Sequence, residues 1–262
     1  VNAIRAIWAR LQAPSLLRGP LLLAISVAAT GDILLRLSGD TSTAVASILD
    51  VVLVVTPLVG LVLGTSRLHH SRDVITLMLA QPVSRRRVFV DLWWRGALPL
   101  AAALAIGVLA PFAWQRQLVN TGVTLVLSMA IAAAVLAVLS QTLAMIIALR
   151  FDDRVRALSV SLATWLVAAV LWDGIVMVVA LLMADRPIEL PVMLMLAANP
   201  VDLVRVMMLL GSDAAAMLGY TGAMVSRTLG TLTGRAVLGG ILVVWLALPM
   251  WWAARSFERK DF

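Results

Sequence analysis

Six long apolar runs, near 19–38, 48–66, 96–114, 121–149, 157–183 and 236–254, constrain this chain more than any motif in it. Each meets the roughly 20 residues that a helix needs to cross ~30 Å of hydrocarbon. None alternates with the period of two of a barrel strand. The expected fold class is therefore an all-α membrane protein with six transmembrane helices in one domain. Composition agrees: of 262 residues, 62% are hydrophobic and 13% charged, where soluble domains carry about a quarter charged. There is no cysteine, so disulfides and thiolate metal sites are excluded. The first run lacks a small-residue cleavage site and is expected to be retained as a span.

Formal net charge is +7, and its placement matters more than its sum. With the N-terminus inside, the inner segments hold 15 of the 21 basic residues, including Arg67, Arg72, Arg85, Arg86, Arg87, Arg154 and Lys260. The positive-inside rule then puts both termini in the cytoplasm. Topology accounts for the charge, and no nucleic-acid partner is needed to explain it.

The connections are more informative than the spans. Residues 2–12 place Ile4, Ile7, Trp8 and Leu11 on one helical face, so 1–18 is expected to lie in the membrane interface before the chain turns at Pro14 to Pro20. The loop 66–95 carries an apolar island among basic residues and should form a helix over about 72–80 that ends at Pro82. The connector 184–235 is too apolar for a solvated loop. Within it Asn199 and Pro200 have the form of an N-cap and a first-turn proline, with Asp202 in the first turn and the helix running to about Gly211. A further short helix is expected near 212–219. Short outer helices of this kind suit re-entrant or interfacial elements. In the second span Gly60 and Gly64 form a small-xxx-small pair, and the fourth carries Ala130, Ala133, Ala134, Ala137, Ser140 and Ala144. Both suit tight packing, inside a bundle or across a dimer.

Asp32, Asp50 and Asp173 lie in or near the apolar zone, where a carboxylate costs at least ~2.5 kcal/mol on insertion scales. They are candidates for function, with structural hydrogen bonding the plainer expectation. Six methionines, Met193, Met195, Met207, Met208, Met217 and Met224, fall in the outer connector. Thioethers can bind Cu(I), but methionine more simply fills irregular apolar gaps. His69 and His70 are adjacent, point about 100° apart on a helix and do not chelate together easily. No phosphate-binding glycine loop, catalytic triad or HExxH is present, so any ATP chemistry must come from another chain. An ion-driven secondary transporter would need an internal repeat and midplane polar sites. An intramembrane enzyme would need a catalytic constellation. The sequence offers neither.

Taken together, six spans, the N-terminal segment, the outer connector and the run Asp73-x-x-Thr76-Leu77-Met78-Leu79-x-Gln81-Pro82-Val83-Ser84-Arg85 resemble the permease subunits of type-2, exporter-like ABC transporters. Within that class, Asn199-Pro200-Val201-Asp202, Arg205, the segment from Gly219 through Tyr220 to Ala223, the Trp172-Asp173 pair and the tail Phe257 to Asp261 are similar to the NosY-type permease of nitrous-oxide reductase maturation. The chain departs from relatives in carrying His69, His70 and Arg72 before the coupling leucines, and Asp91-Leu92 near the third span. The resemblance implies a non-catalytic, multi-pass protein of the bacterial inner membrane, paired with a second permease copy and two ABC ATPase subunits. Those subunits would bind ATP and Mg, leaving no cofactor in this chain. It further implies ATPase contacts at Arg72, Asp73, Thr76, Leu77, Met78, Gln81, Pro82, Ser84 and Arg85, with a smaller second contact in the 150–156 loop at Asp152 and Arg154. A periplasmic partner in copper-site assembly would dock on the outer side at Asn199, Asp202, Arg205 and Tyr220.

Overall fold

A computed structural model describes residues 2–183, 189–210 and 231–260. It contains six helices long and apolar enough to cross a membrane, and no strand among the described residues. In chain order the helices are α1 (Asn2–Leu37), α2 (Thr41–His70), the short α3 (Arg72–Leu79), α4 (Arg85–Trp114), the single turn α5 (Leu118–Thr121), α6 (Val123–Arg150) and α7 (Arg154–Leu166). A π-helical turn, Val167–Leu171, joins α7 to α8 (Trp172–Leu182), so these three pieces form the fifth span. Then come α9 (Glu189–Ala198), α10 (Pro200–Leu209) and the last span, α11 (Leu232–Arg259). The end of the bundle that carries α3, the α6–α7 turn and Lys260 is its basic end.

Helix α1 runs without a break from Asn2, so the turn expected at Pro14 to Pro20 does not interrupt it. The side-chain placement expected for Ile4 to Leu11 lies outside the described residues, as do the helix expected at 212–219, Tyr220, Met217 and Met224. The expected outer helices at 190–198 and 200–211 are present as α9 and α10, bent by 107° at Asn199. The bend has a local cause. The Asn199 side chain accepts a hydrogen bond from Val201 N at 3.0 Å, and Pro200, lacking an N–H, can occupy only the start of the second helix.

Helix α6 is the axis of the bundle, with α2, α4 and α11 packed around it and α10 laid against its far end. Its small residues Ala130, Ala133, Ala137, Ser140 and Ala144 recur at spacings of three and four and are all buried. The stripe therefore serves packing inside the bundle. Opposite it, a methyl group added at Gly60 would lie 2.6 Å from Ser140 Cβ, and one at Gly64 2.6 Å from Ala144 Cβ. Only glycine lets α2 approach so closely. Around this seam lie Leu53, Leu100, Leu104, Phe112, Met129 and Leu136, all fully buried. Polar bonds tie the outlying spans to it. Trp93 Nε1 donates to Thr142 Oγ1 at 2.9 Å, Thr65 Oγ1 meets Ser161 Oγ at 2.7 Å, and Trp165 Nε1 donates to Val54 O at 2.9 Å. The fifth span is held along one edge only, and most of its side chains are exposed.

Candidate coupling interface at the basic end

Helix α3 exists because the chain turns sharply at Ser71, which ends α2 and starts α3. Ser71 N donates to Arg67 O at 3.1 Å, and Ile75 N to Ser71 O at 2.9 Å. The helix stops where Gln81 precedes Pro82, a position that disfavours helical backbone. Its two faces differ. Ile75 is fully buried in a core with Leu68, Val88, Phe89, Leu92, Met145, Ala148 and Phe257, and Val74, Met78 and Leu79 pack against that core. Phe89 and Phe257 meet within it at a tilt of 55°, with ring centroids 5.7 Å apart. Asp73, Thr76, Leu77 and Ala80 face away, and Leu77 is 65% exposed. An eight-residue helix is too short to be stable alone, so burial of Ile75 and its neighbours holds it in place.

Of the residues expected to contact an ATPase, Asp73, Thr76, Leu77, Pro82, Ser84 and Arg154 are exposed, while Gln81 is half-buried. Met78 instead packs towards the bundle. Arg72 reaches inward too. Its guanidinium donates to Ala148 O and Phe151 O, each at 3.1 Å, and to Asp152 O at 3.1 Å, and pairs with the Asp152 carboxylate at 3.1 Å. These are carbonyls at the C-terminal end of α6 and just beyond it, where a helix leaves acceptors unsatisfied and a cation is favoured. Lys260 adds bonds to Leu149 O at 2.5 Å and Asp152 Oδ1 at 2.8 Å, and His69 Nε2 lies 3.2 Å from Phe151 O. Arg85 in turn donates to Glu258 O at 3.1 Å and Lys260 O at 2.6 Å. So α3, the end of α6, the C-terminal tail and the start of α4 form one hydrogen-bonded platform. Lys260, and to a lesser degree Arg72, hold the Asp152 carboxyl below the usual carboxylate range. Asp153 caps α7, accepting from Val155 N at 3.1 Å and Arg156 N at 3.4 Å, and Arg154 comes within 3.5 Å of His70 Nε2.

At the opposite end two of the acidic candidates, Asp32 and Asp173, are structural partners. Asp32 accepts from Trp114 Nε1 at 2.8 Å, Gln115 Nε2 at 2.6 Å and Arg36 Nε at 2.8 Å, binding α1 to the end of α4. Asp50 is exposed. Asp173 belongs with the outer residues: Arg205 Nη1 donates to both its oxygens, at 2.8 and 2.9 Å, and to Asp202 Oδ1 at 3.1 Å. Asn199, besides capping α10, donates through Nδ2 to Ala168 O at 2.7 Å. That carbonyl belongs to the π-helical turn, where the regular bonding pattern is interrupted. A span tolerates such a break only where the freed groups find partners. Neither the π turn nor the Lys260 cap was anticipated. The run VAAVL carries no glycine or proline to mark a break, and a tail lysine carries no signal of what it will meet.

Residues 21–262 match the family model described as ABC-2 family transporter protein. The chain belongs to this family. It is thus a multi-pass membrane permease subunit of an ABC transporter, a type that works with an ABC ATPase. No protein in the curated set matches it.

Proposed function

We propose that the basic end faces the cytoplasm, docks an ABC ATPase subunit on the outward face of α3, and passes ATP-driven motion through α6 to the opposite end of the bundle. ATP and Mg belong to the ATPase; this chain supplies the seat and the lever. The observation that carries the reading is the division of α3. Ile75 roots it in the core, Leu77 stays exposed beside Asp73 and Thr76, and Arg72 ties it to the end of the central helix. A push on such a helix moves α6 with it, because a packed core transmits displacement. The orientation is supported by the excess of arginine at this end. A second copy of the chain, most simply a homodimer partner, would cover part of the exposed fifth span.

Leu77→Arg tests the docking face. It puts a positive charge on an exposed apolar position without touching Ile75 or Met78, so the protein should insert and fold as before. The co-expressed ATPase should no longer co-purify. Assembly and transport that survive Leu77→Arg would sink the proposal.

A narrower reading assigns the output to copper-site assembly of nitrous-oxide reductase through a periplasmic partner, with generic export as its alternative. It rests on the resemblance of Asn199 to Asp202 and Arg205 to that subgroup. Asn199 and Asp202, expected on the docking face, are buried, so what supports this reading is the exposed Asp173, held by Arg205. Capture of a periplasmic copper-maturation protein by the wild type, lost in Arg205→Ala, separates it from generic export.

A further inference from the structure

An open groove of about 450 Å³ runs along the first turns of α4, lined by Ser84, Arg86, Arg87, Val90, Asp91 and Trp94. Positions 87, 91 and 94 repeat at spacings of four and three, so they form one face of the helix. Apart from Ser84 at its rim, an expected ATPase contact, neither the family assignment nor the docking proposal uses this groove. Its charges are unequal in standing. Arg85 is engaged by the tail carbonyls, and the Asp91 carboxylate is held by Arg95 Nε at 2.8 Å. Arg86 and Arg87 are exposed and make no ion pair among the described residues. The groove is therefore cationic at one end. At the other it opens onto an apolar stripe, Val90, Trp94 and Leu98, which are 46%, 54% and 49% exposed.

Depth decides what can fill it. Trp94 marks the membrane interface, where indole rings concentrate, and Leu98 lies beyond it in the apolar run. Arg87 is seven residues before Trp94, about 10 Å of helical rise. The headgroup layer occupies roughly 5–8 Å beyond the hydrocarbon on each side, and long arginine side chains cover the remainder. A soluble protein could meet the arginines but could not follow the stripe past Trp94 into the membrane. A phospholipid has both parts: an anionic phosphodiester at one end and acyl chains at the other. We infer that this groove is a binding site for an anionic glycerophospholipid, its phosphate held by Arg86 and Arg87 and an acyl chain laid along Val90, Trp94 and Leu98. The inference requires only that the chain be membrane-embedded, so it stands or falls apart from the ATPase proposal.

The test uses the purified full-length chain in mixed micelles holding equal amounts of phosphatidylglycerol and phosphatidylcholine, with bound lipid read by native mass spectrometry. An arginine near an anionic lipid surface is worth about fivefold in affinity, so two predict a preference for phosphatidylglycerol of roughly 25-fold. Arg86→Gln with Arg87→Gln should bring the preference to parity, and Arg86→Lys with Arg87→Lys should keep most of it. Arg255→Gln with Arg259→Gln removes equal charge elsewhere on the basic end and should leave it unchanged. Parity in the wild type, or equal loss in the Arg255/Arg259 pair, overturns the inference. So does loss of ATPase co-purification in the glutamine pair with the lipid preference intact, which would make the groove a protein dock.

Discussion

Gly60→Ala probes the seam on which transmission depends. The added Cβ would stand 2.6 Å from Ser140 Cβ, 3.5 Å from Ser140 Oγ and 3.6 Å from Leu100 Cδ2. Carbon atoms rest about 3.5–4.0 Å apart, so α2 and α6 must separate locally by about 1 Å. Overpacking of this kind costs roughly 1–3 kcal/mol. Alanine returns about 1 kcal/mol through helix propensity, leaving a net loss of about 0–2 kcal/mol relative to wild type. Gly240→Ala is the internal control, because nothing lies within 4 Å of a methyl there; it should be neutral or slightly stabilising. Ser140→Gly removes the atoms that clash. Its own helix cost of about 0.5–1 kcal/mol makes a double-mutant cycle the right reading, with an expected favourable coupling of about 1–2 kcal/mol. The assay is reversible unfolding in mixed dodecyl maltoside and dodecyl sulfate micelles, followed by the fluorescence of the nine tryptophans. If Gly60→Ala matches Gly240→Ala, or the cycle is additive, the close α2–α6 contact is wrong.

Other outcomes follow from the two ends of the bundle. Asn199→Ala loses the cap on α10, worth about 0.5–2 kcal/mol, and the bond to Ala168 O, worth about 0.6 kcal/mol. Asn199→Asp keeps the cap acceptor but not the donor, so it should fall between wild type and alanine in the same unfolding assay, and hydrogen exchange should quicken at 167–171 in both. The Asp152 carboxyl is held low in the folded protein, chiefly by Lys260. Its contribution therefore exists in full above the ordinary carboxylate range, near pH 4, and is lost as pH falls through the lower folded value. Asp152→Asn should be slightly less stable than wild type at pH 7, with the gap closing below pH 4. A gap that widens with acid would contradict the Lys260 and Arg72 pairing.

How much of this was legible in the sequence follows the range of the interactions. The number of spans, the α3 helix, its stop at Pro82 and the Asn199 cap depend on neighbours a few residues away, and each stands where the local pattern puts it; several spans extend well past their apolar runs as helix. The Gly60–Ser140 seam was visible as two small-residue stripes, but only their meeting shows that they serve one bundle. The roles of Arg72 and Met78 were not legible. In the motif they sit beside Leu77 as one surface, and the rotation of an eight-residue helix is set by which side chain finds a pocket, here Ile75. Asp173 and Arg205 are 32 positions apart with a break in between, so nothing local joins them. The π turn is similar: the Asn199 amide that satisfies its Ala168 carbonyl lies in another element.

The central claim is that α3 receives the ATPase on the face that carries Leu77. The chain has no cysteine of its own, so a single introduced thiol reports one position. Leu77→Cys, labelled with a photoreactive maleimide in membranes containing the co-expressed ATPase, should cross-link to that ATPase in a nucleotide-dependent way. Arg36→Cys, at the opposite end, should not. Cross-linking from position 36, or none from position 77 in an assembled complex, would contradict the account.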